Sequence, residues 1–137
     1  MGFGLVLVVD ASCLAEVLIG GAGSEDVRDR LGADRDQAAP HVLDVEVFGV
    51  IRRAHRQGHL DGTAAAQAID DLHDWPGERF GHRPLLTRAW ELRATVRGWD
   101  AMYVALAEGL GAVLVTTDAR LAAAHGPTCE IEVIGRP

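Results

Sequence analysis

The sequence contains no lysine, and all 13 of its basic residues are arginines. Receiver domains and haloacid-dehalogenase-like phosphatases set a lysine beside their acyl phosphate, so both classes are excluded. The latter also need a DxD after the first strand, where this chain has "DAS" (residues 10–12). The GK[ST] of a P-loop NTPase is impossible for the same reason. Cysteine is nearly absent too: Cys13 and Cys129 are far apart and form no CxxC pair, which argues against a disulfide framework and predicts a reduced, cytoplasmic setting. Aromatics make up only 5% of the chain, which predicts an aliphatic core. The first apolar run, Phe3 to Val9, has no basic start, is too short for a membrane span and runs into Asp10. It reads as a strand, not as a signal peptide. Val6 stands where a myristoylation signal needs Ser or Thr. There is no HExxH; His55 and His59 are four apart with Gly58 between them, a poor zinc site. Ser12 and Cys13 lie in no nucleophile elbow, which argues against acyl transfer.

What is present suits one soluble domain, spanning 1–137, with no repeat, low-complexity run or linker. Hydrophobic residues are 48% of the chain, and its formal charge is −7. That charge argues against a general nucleic-acid coat. It does not exclude a nuclease, because binding rests on local basic patches.

The apolar patterning alternates between strands and helices. "LVLVV" (5–9) is a continuous β-branched run, as in a strand buried on both faces. "ASCLAEVLIGG" follows as a helix ended by glycine, with Leu14, Val17 and Leu18 assigned to the core. "SEDVRDRLG" predicts a short amphipathic helix capped by Ser24. After Pro40, residues Leu43, Val47, Val50, Ile51 and Ala54 recur at helical spacing until Gly58. "DGTAAAQAIDDLHDW" and "LLTRAWELRATV" predict further helices, with "ERFGHRP" between them as a short edge strand. Asp100 to Leu110 is a helix with little polar surface, "AVLVTT" a second buried strand, "DARLAAAHG" a short helix and "CEIEVI" an edge strand. The pattern predicts a three-layer α/β/α sandwich on a mostly parallel sheet.

Four carboxylates interrupt this apolar frame. Asp10 ends the first strand and Asp118 the second; Glu46 lies at the rim of an apolar helical stripe; Asp100 opens the most apolar helix, on a face with Val104 and Ala107. Read singly, the three aspartates are ordinary helix N-caps and Glu46 is a side chain reaching for solvent. Read together, they are several negative charges near the carboxyl ends of the strands, where sites form in such sheets. That cluster is costly unless protonated or neutralised by cations. Mg²⁺ or Mn²⁺ is the natural partner, since both prefer carboxylate oxygens and keep waters.

The stretches "VVDASCLAEVL", "PHVLDVEVFGVIRR", "RPLLTRAWELR", "WDAMYVALAEGLGAVLVTTDARL" and "IEVI" cover almost the whole chain. In that order they resemble the PIN-domain ribonucleases, specifically the VapC-type toxins of type II toxin–antitoxin pairs. The resemblance implies a PIN-like sandwich and puts the family's acidic site on Asp10, Glu46, Asp100 and Asp118. It also implies a hydroxyl at Thr116 that binds a metal-bound water or orients Asp118; otherwise Thr116 is a strand threonine bonded to backbone. Trp99 departs from the tyrosine usual before Asp100.

The implied activity is Mg²⁺- or Mn²⁺-dependent cleavage of single-stranded or loop RNA, often tRNA or ribosomal RNA. Asp10, Glu46 and Asp100 would hold the principal metal, directly or through water, and Asp118 would help hold a second metal or orient the water. Arg53, two turns beyond Glu46 on the same side of its helix, is the candidate RNA contact; Arg83, Arg88, Arg93 and Arg97 form a second basic stretch. The implied partners are a VapB-type antitoxin, which wraps the toxin and inserts a basic residue into the acidic pocket, and a second copy of the chain. The alternative is a PIN-like module that binds RNA or protein without cutting.

Overall fold

A computed structural model describes residues 6–32 and 36–135; the run from Phe3 to Leu5 lies outside them. Five strands form one sheet: β1 (Leu7–Val9), β2 (Gln37–Pro40), β3 (Glu78–Phe80), β4 (Val113–Thr116) and β5 (Ile131–Val133). Their order is β3-β2-β1-β4-β5 and every pairing is parallel. The two strands read as buried, β1 and β4, are central neighbours, with Val9 opposite Val115. The two read as edge strands, β3 and β5, are the edges.

Helices α1 (Ala11–Ile19), α2 (Ser24–Leu31), α3 (Val42–Arg56) and α4 (Gly62–Asp74) pack on one another as one group. The second group is a 3-10 turn (Arg83–Leu85), α5 (Leu86–Glu91) and α6 (Asp100–Leu110), with α6 lying across β1, β2 and β4. The short α7 (Ala119–Ala122) packs on β5. The groups flank the sheet, giving the three layers read from the pattern. The core between them is aliphatic: Leu7, Leu43, Ile51 and Leu114 are almost wholly buried, as is Tyr103. Leu14 belongs to it, and Val17 and Leu18 are half-buried at its margin. Arginine clamps join the periphery. Arg88 donates to Glu108 (2.6 and 3.2 Å) and to the Gly126 carbonyl, and Arg30 is bidentate on Glu132 (2.6 and 2.8 Å).

Three local readings are corrected. Strand β2 carries no sequence signal, because "QAAP" lacks β-branched or aromatic residues and only pairing on both sides makes it a strand. Its Pro40 lies beyond the segment that β1 pairs, Gln37 and Ala38. Ser24 does not cap α2 but is its first residue; Gly23 precedes the helix, and its N–H bonds to the Glu16 carboxylate at 2.9 Å. The helix expected over 85–96 stops at Glu91. There the N–H groups of Leu92, Arg93 and Thr95 bond carbonyls three residues back, and the tightened turns keep Leu92 and Val96 buried.

Candidate active site

Strand order reverses between β1 and β4, because β1 connects onward to β2 on one side and β4 lies on the other. A crevice forms beyond the carboxyl ends of the strands at such a point. Asp10 follows β1 there and its N–H still bonds the Val115 carbonyl at 3.0 Å, extending the ladder. Asp118 follows β4 by two residues. Helix α3 carries Glu46 to the same place and the first turn of α6 carries Asp100. All four line one open cleft of about 710 Å³, whose walls also carry Ser12, Arg53, Arg97, Trp99 and Arg120.

The N-cap reading separates the aspartates. Asp118 caps α7, its Oδ1 accepting the Arg120 N–H at 2.9 Å. Asp10 stands at the N-cap of α1, yet its side chain makes no cap bond. Asp100 is already helical, with Trp99 at the N-cap position. Capping therefore accounts for one of the three.

Asp10 is 7% exposed, and its carboxylate is fixed from behind by two hydroxyls. Thr116 Oγ1 donates to Asp10 Oδ2 at 2.6 Å and Ser12 Oγ donates to the same oxygen at 2.9 Å. Each hydroxyl then accepts from the backbone: Thr116 from the Asp118 N–H and Ser12 from the Thr117 N–H, both at 3.1 Å. Each has a single hydrogen, so the 3.4 Å approach of Ser12 Oγ to Thr116 Oγ1 has none left to share. Both donors fall on Oδ2, which leaves Oδ1 without a hydroxyl partner. Thr116 itself is fully buried, behind the cleft wall. Its hydroxyl orients the Asp10 carboxylate directly and meets Asp118 only at the main-chain N–H, the backbone bond expected of a strand threonine.

Glu46 is held in the same manner: the Tyr103 hydroxyl, on α6, donates to Glu46 Oε1 at 2.6 Å. Burial and the neighbouring Glu46 push the Tyr103 phenol far up, so it stays a donor.

Three of the four acids are harder to ionise than usual. Burial raises Asp10, opposed by hydrogen bonds from Thr116, Ser12 and the Ala11 backbone and reinforced by the charge of Asp118. Burial raises Glu46, opposed by Tyr103 and reinforced by Asp10 and Asp100. Burial and then Asp10 and Asp118 raise Asp100, partly offset by Arg97 and Arg120. Asp118 alone lies low: burial works against its charge, but the hydrogen bonds from Arg120 and the charges of Arg120 and Arg97 outweigh it. These acids repel one another across a half-open cleft. Among the described residues, no three acidic, histidine or cysteine side chains are gathered closely enough to enclose an ion unaided. The donor set nonetheless fits a hard divalent cation, whose retained waters complete its coordination. The Cys13 thiol beside Asp10 is no rival nucleophile, since burial pushes it up to about 12.

Of the basic residues singled out, Arg53 and Arg97 reach the cleft. Arg88 is taken by Glu108, and the Arg93 guanidinium lies over Trp90. Sequence reasoning missed Tyr103, Arg120 and the positioning role of Ser12. Ser12 and Arg120 each stand two residues after a site aspartate, a readable clue. The pairing of Tyr103 with Glu46 spans 57 residues and leaves no local trace.

The PIN domain family model matches residues 7–126. Ribonuclease VapC1 of Mycobacterium tuberculosis is 40% identical over 93% of this chain and 96% of its own length. Ribonuclease VapC12 of the same organism is 36% identical over 94% of this chain and 99% of its own. Among solved structures, VapBC2 from Rickettsia felis, bound to a promoter DNA fragment, superposes with a TM-score of 0.68. That match covers 95% of this chain and 99% of the other at 13% identity, a likeness of fold.

Proposed function

The chain belongs to the PIN domain family, and from that membership we propose that it is a divalent-metal-dependent endoribonuclease, the toxin of a toxin–antitoxin pair. The observation that carries this reading is the convergence of Asp10, Glu46, Asp100 and Asp118 on one cleft with three arginines. In it, Asp10, Glu46 and Asp100 would hold Mg²⁺ or Mn²⁺, directly or through its waters, and Asp118 would help hold a second ion or orient water. A bound ion of this kind supplies a water acidic enough to attack near neutral pH and stabilises charge on the leaving oxygen.

The chain's own residues do the rest. Thr116 and Ser12 fix the Asp10 carboxylate through Oδ2. Tyr103 fixes Glu46 through Oε1. Such orienting partners commonly decide metal affinity. Arg53, Arg97 and Arg120 are placed to meet backbone phosphates against the net charge of −7. Gly49, between Glu46 and Arg53 on α3, has open space where a side chain would stand, so the wall is bare enough for a strand to lie against it.

The partner is an antitoxin of the VapB type. A cluster of mutually repelling carboxylates attracts an inserted basic side chain as readily as a metal, which offers one route to inhibition. A homodimer is the proposed assembly. No described helix is long and apolar enough to cross a membrane.

The test is RNA cleavage by purified Asp10→Asn and Asp100→Asn proteins. Both are expected to stay folded and lose cleavage in Mg²⁺ or Mn²⁺. Near-normal cleavage by both would overturn the assignment. A wild-type chain that binds RNA yet never cuts it with either metal would favour the non-cutting module.

A further inference from the structure

The chain has three tryptophans, and two are covered on a face by arginine. The Arg79 guanidinium lies 4.9 Å from the Trp75 ring centroid, and that of Arg93 lies 4.3 Å from Trp90. Trp99 is different. It is 62% exposed, lines the acidic cleft, and no described guanidinium or ring lies over it. Its backbone is fixed, however. Gly98, at φ +38, turns the chain in a conformation that costs glycine least, and the Trp99 carbonyl accepts the Met102 N–H at 2.9 Å. An exposed indole thus stands at the N-cap of α6, next to Asp100, on a fixed stretch of backbone.

Resting on the ribonuclease reading above, we propose that Trp99 is a stacking platform for an unpaired RNA base next to the scissile phosphate. A strand crossing the cleft presents phosphates, which Arg53, Arg97 and Arg120 attract, and bases, which need an apolar surface. Among the described residues, Trp99 is the one aromatic ring that lines the cleft. Every base has a π face, so such a contact tolerates sequence but demands that the base be unstacked. It therefore selects single-stranded or looped RNA over duplex. Its neighbour in sequence is a proposed metal-holding acid, so a base seated on it fixes the position of the adjacent phosphate.

The test uses the full chain with an unstructured, fluorescein-labelled oligouridylate, read by anisotropy with Ca²⁺ in place of Mg²⁺ to suppress cleavage. Trp99→Leu, which keeps apolar bulk without a π face, is expected to weaken binding about 10-fold or more, as loss of one base stack implies. Trp99→Phe is expected to stay within about 3-fold of wild type, and Mn²⁺ affinity to stay unchanged in both. Unaltered RNA binding by Trp99→Leu would overturn the proposal. So would a matching loss of Mn²⁺ affinity, which would make Trp99 a support for Asp100. A Trp99→Leu protein that binds RNA normally but changes sedimentation state would make the ring an interface between copies, again overturning it. If the wild type binds the oligonucleotide but never cuts RNA in Mg²⁺ or Mn²⁺, the ribonuclease reading fails while the binding comparison still decides Trp99.

Discussion

Thr116→Val replaces a hydroxyl with a methyl of nearly the same shape at a fully buried position. Two bonds are lost. One is the 2.6 Å donation to the Asp10 carboxylate, a charge-assisted bond of about 1.5–3 kcal/mol. The other is the acceptor for the Asp118 N–H, which water can partly replace because Asp118 is half-buried. The added buried methyl returns roughly 0.8 kcal/mol. The net destabilisation is about 2 kcal/mol, or about 7 °C in Tm for a domain of this size. The assay is thermal unfolding by circular dichroism without metal. Because the Thr116 bond favours ionised Asp10, the deficit is expected to grow as pH rises through the raised Asp10 pKa and to shrink in acid. Thr116→Ser keeps the hydroxyl and should show no such pH dependence. A Thr116→Val midpoint within about 2 °C of wild type at pH 7 would refute the view that this bond anchors Asp10.

Asp10→Asn should act in the opposite direction on stability. Asp10 holds its proton more tightly folded than unfolded, so without metal its contribution is fully present below the unfolded carboxylate pKa and is lost as pH rises through the raised one. The metal-free variant is thus expected to melt above wild type at pH 7, with the gap closing in acid; a lower Tm at pH 7 contradicts the cost assigned to this charge. Tyr103→Phe removes the 2.6 Å donor to Glu46 and is expected to weaken Mn²⁺ binding about 10-fold by calorimetry; unchanged affinity would mean that Glu46 needs no such partner. Arg88→Met breaks the clamp joining α5, α6 and Gly126, leaves the half-buried Glu108 bonded to the Thr128 N–H, and should cost about 1 kcal/mol in urea unfolding. A loss under about 0.5 kcal/mol would make that clamp incidental.

What could be read from the sequence was what periodicity and residue chemistry encode locally. The unbroken apolar runs in β1 and β4 mark central strands, and an acid ending each run marks the sheet's carboxyl edge, so Asp10 and Asp118 were visible as a pair. Glu46 and Asp100 stood out because they sit beside apolar helical faces. What could not be read depends on contacts distant in sequence. β2 is a strand because β1 and β3 bracket it, not because of "QAAP". The hydroxyls of Ser12 and Thr116 meet on one oxygen across 104 residues, and no spacing announces that two hydroxyls hold the Asp10 carboxylate. The basic stretch from Arg83 to Arg97 looked like one surface, but partners elsewhere divide it. Glu108 takes Arg88, Trp90 takes Arg93, Arg83 stands exposed on the 3-10 turn, and Arg97 reaches the cleft.

The central claim is that these carboxylates form a divalent-metal site, and titration of Mn²⁺ into the purified protein by calorimetry tests it most directly. Saturable binding at or below millimolar Mn²⁺ is expected for the wild type, with loss of that binding in Asp10→Asn. Absence of binding at millimolar Mn²⁺, or equal binding by wild type and Asp10→Asn, would contradict the account.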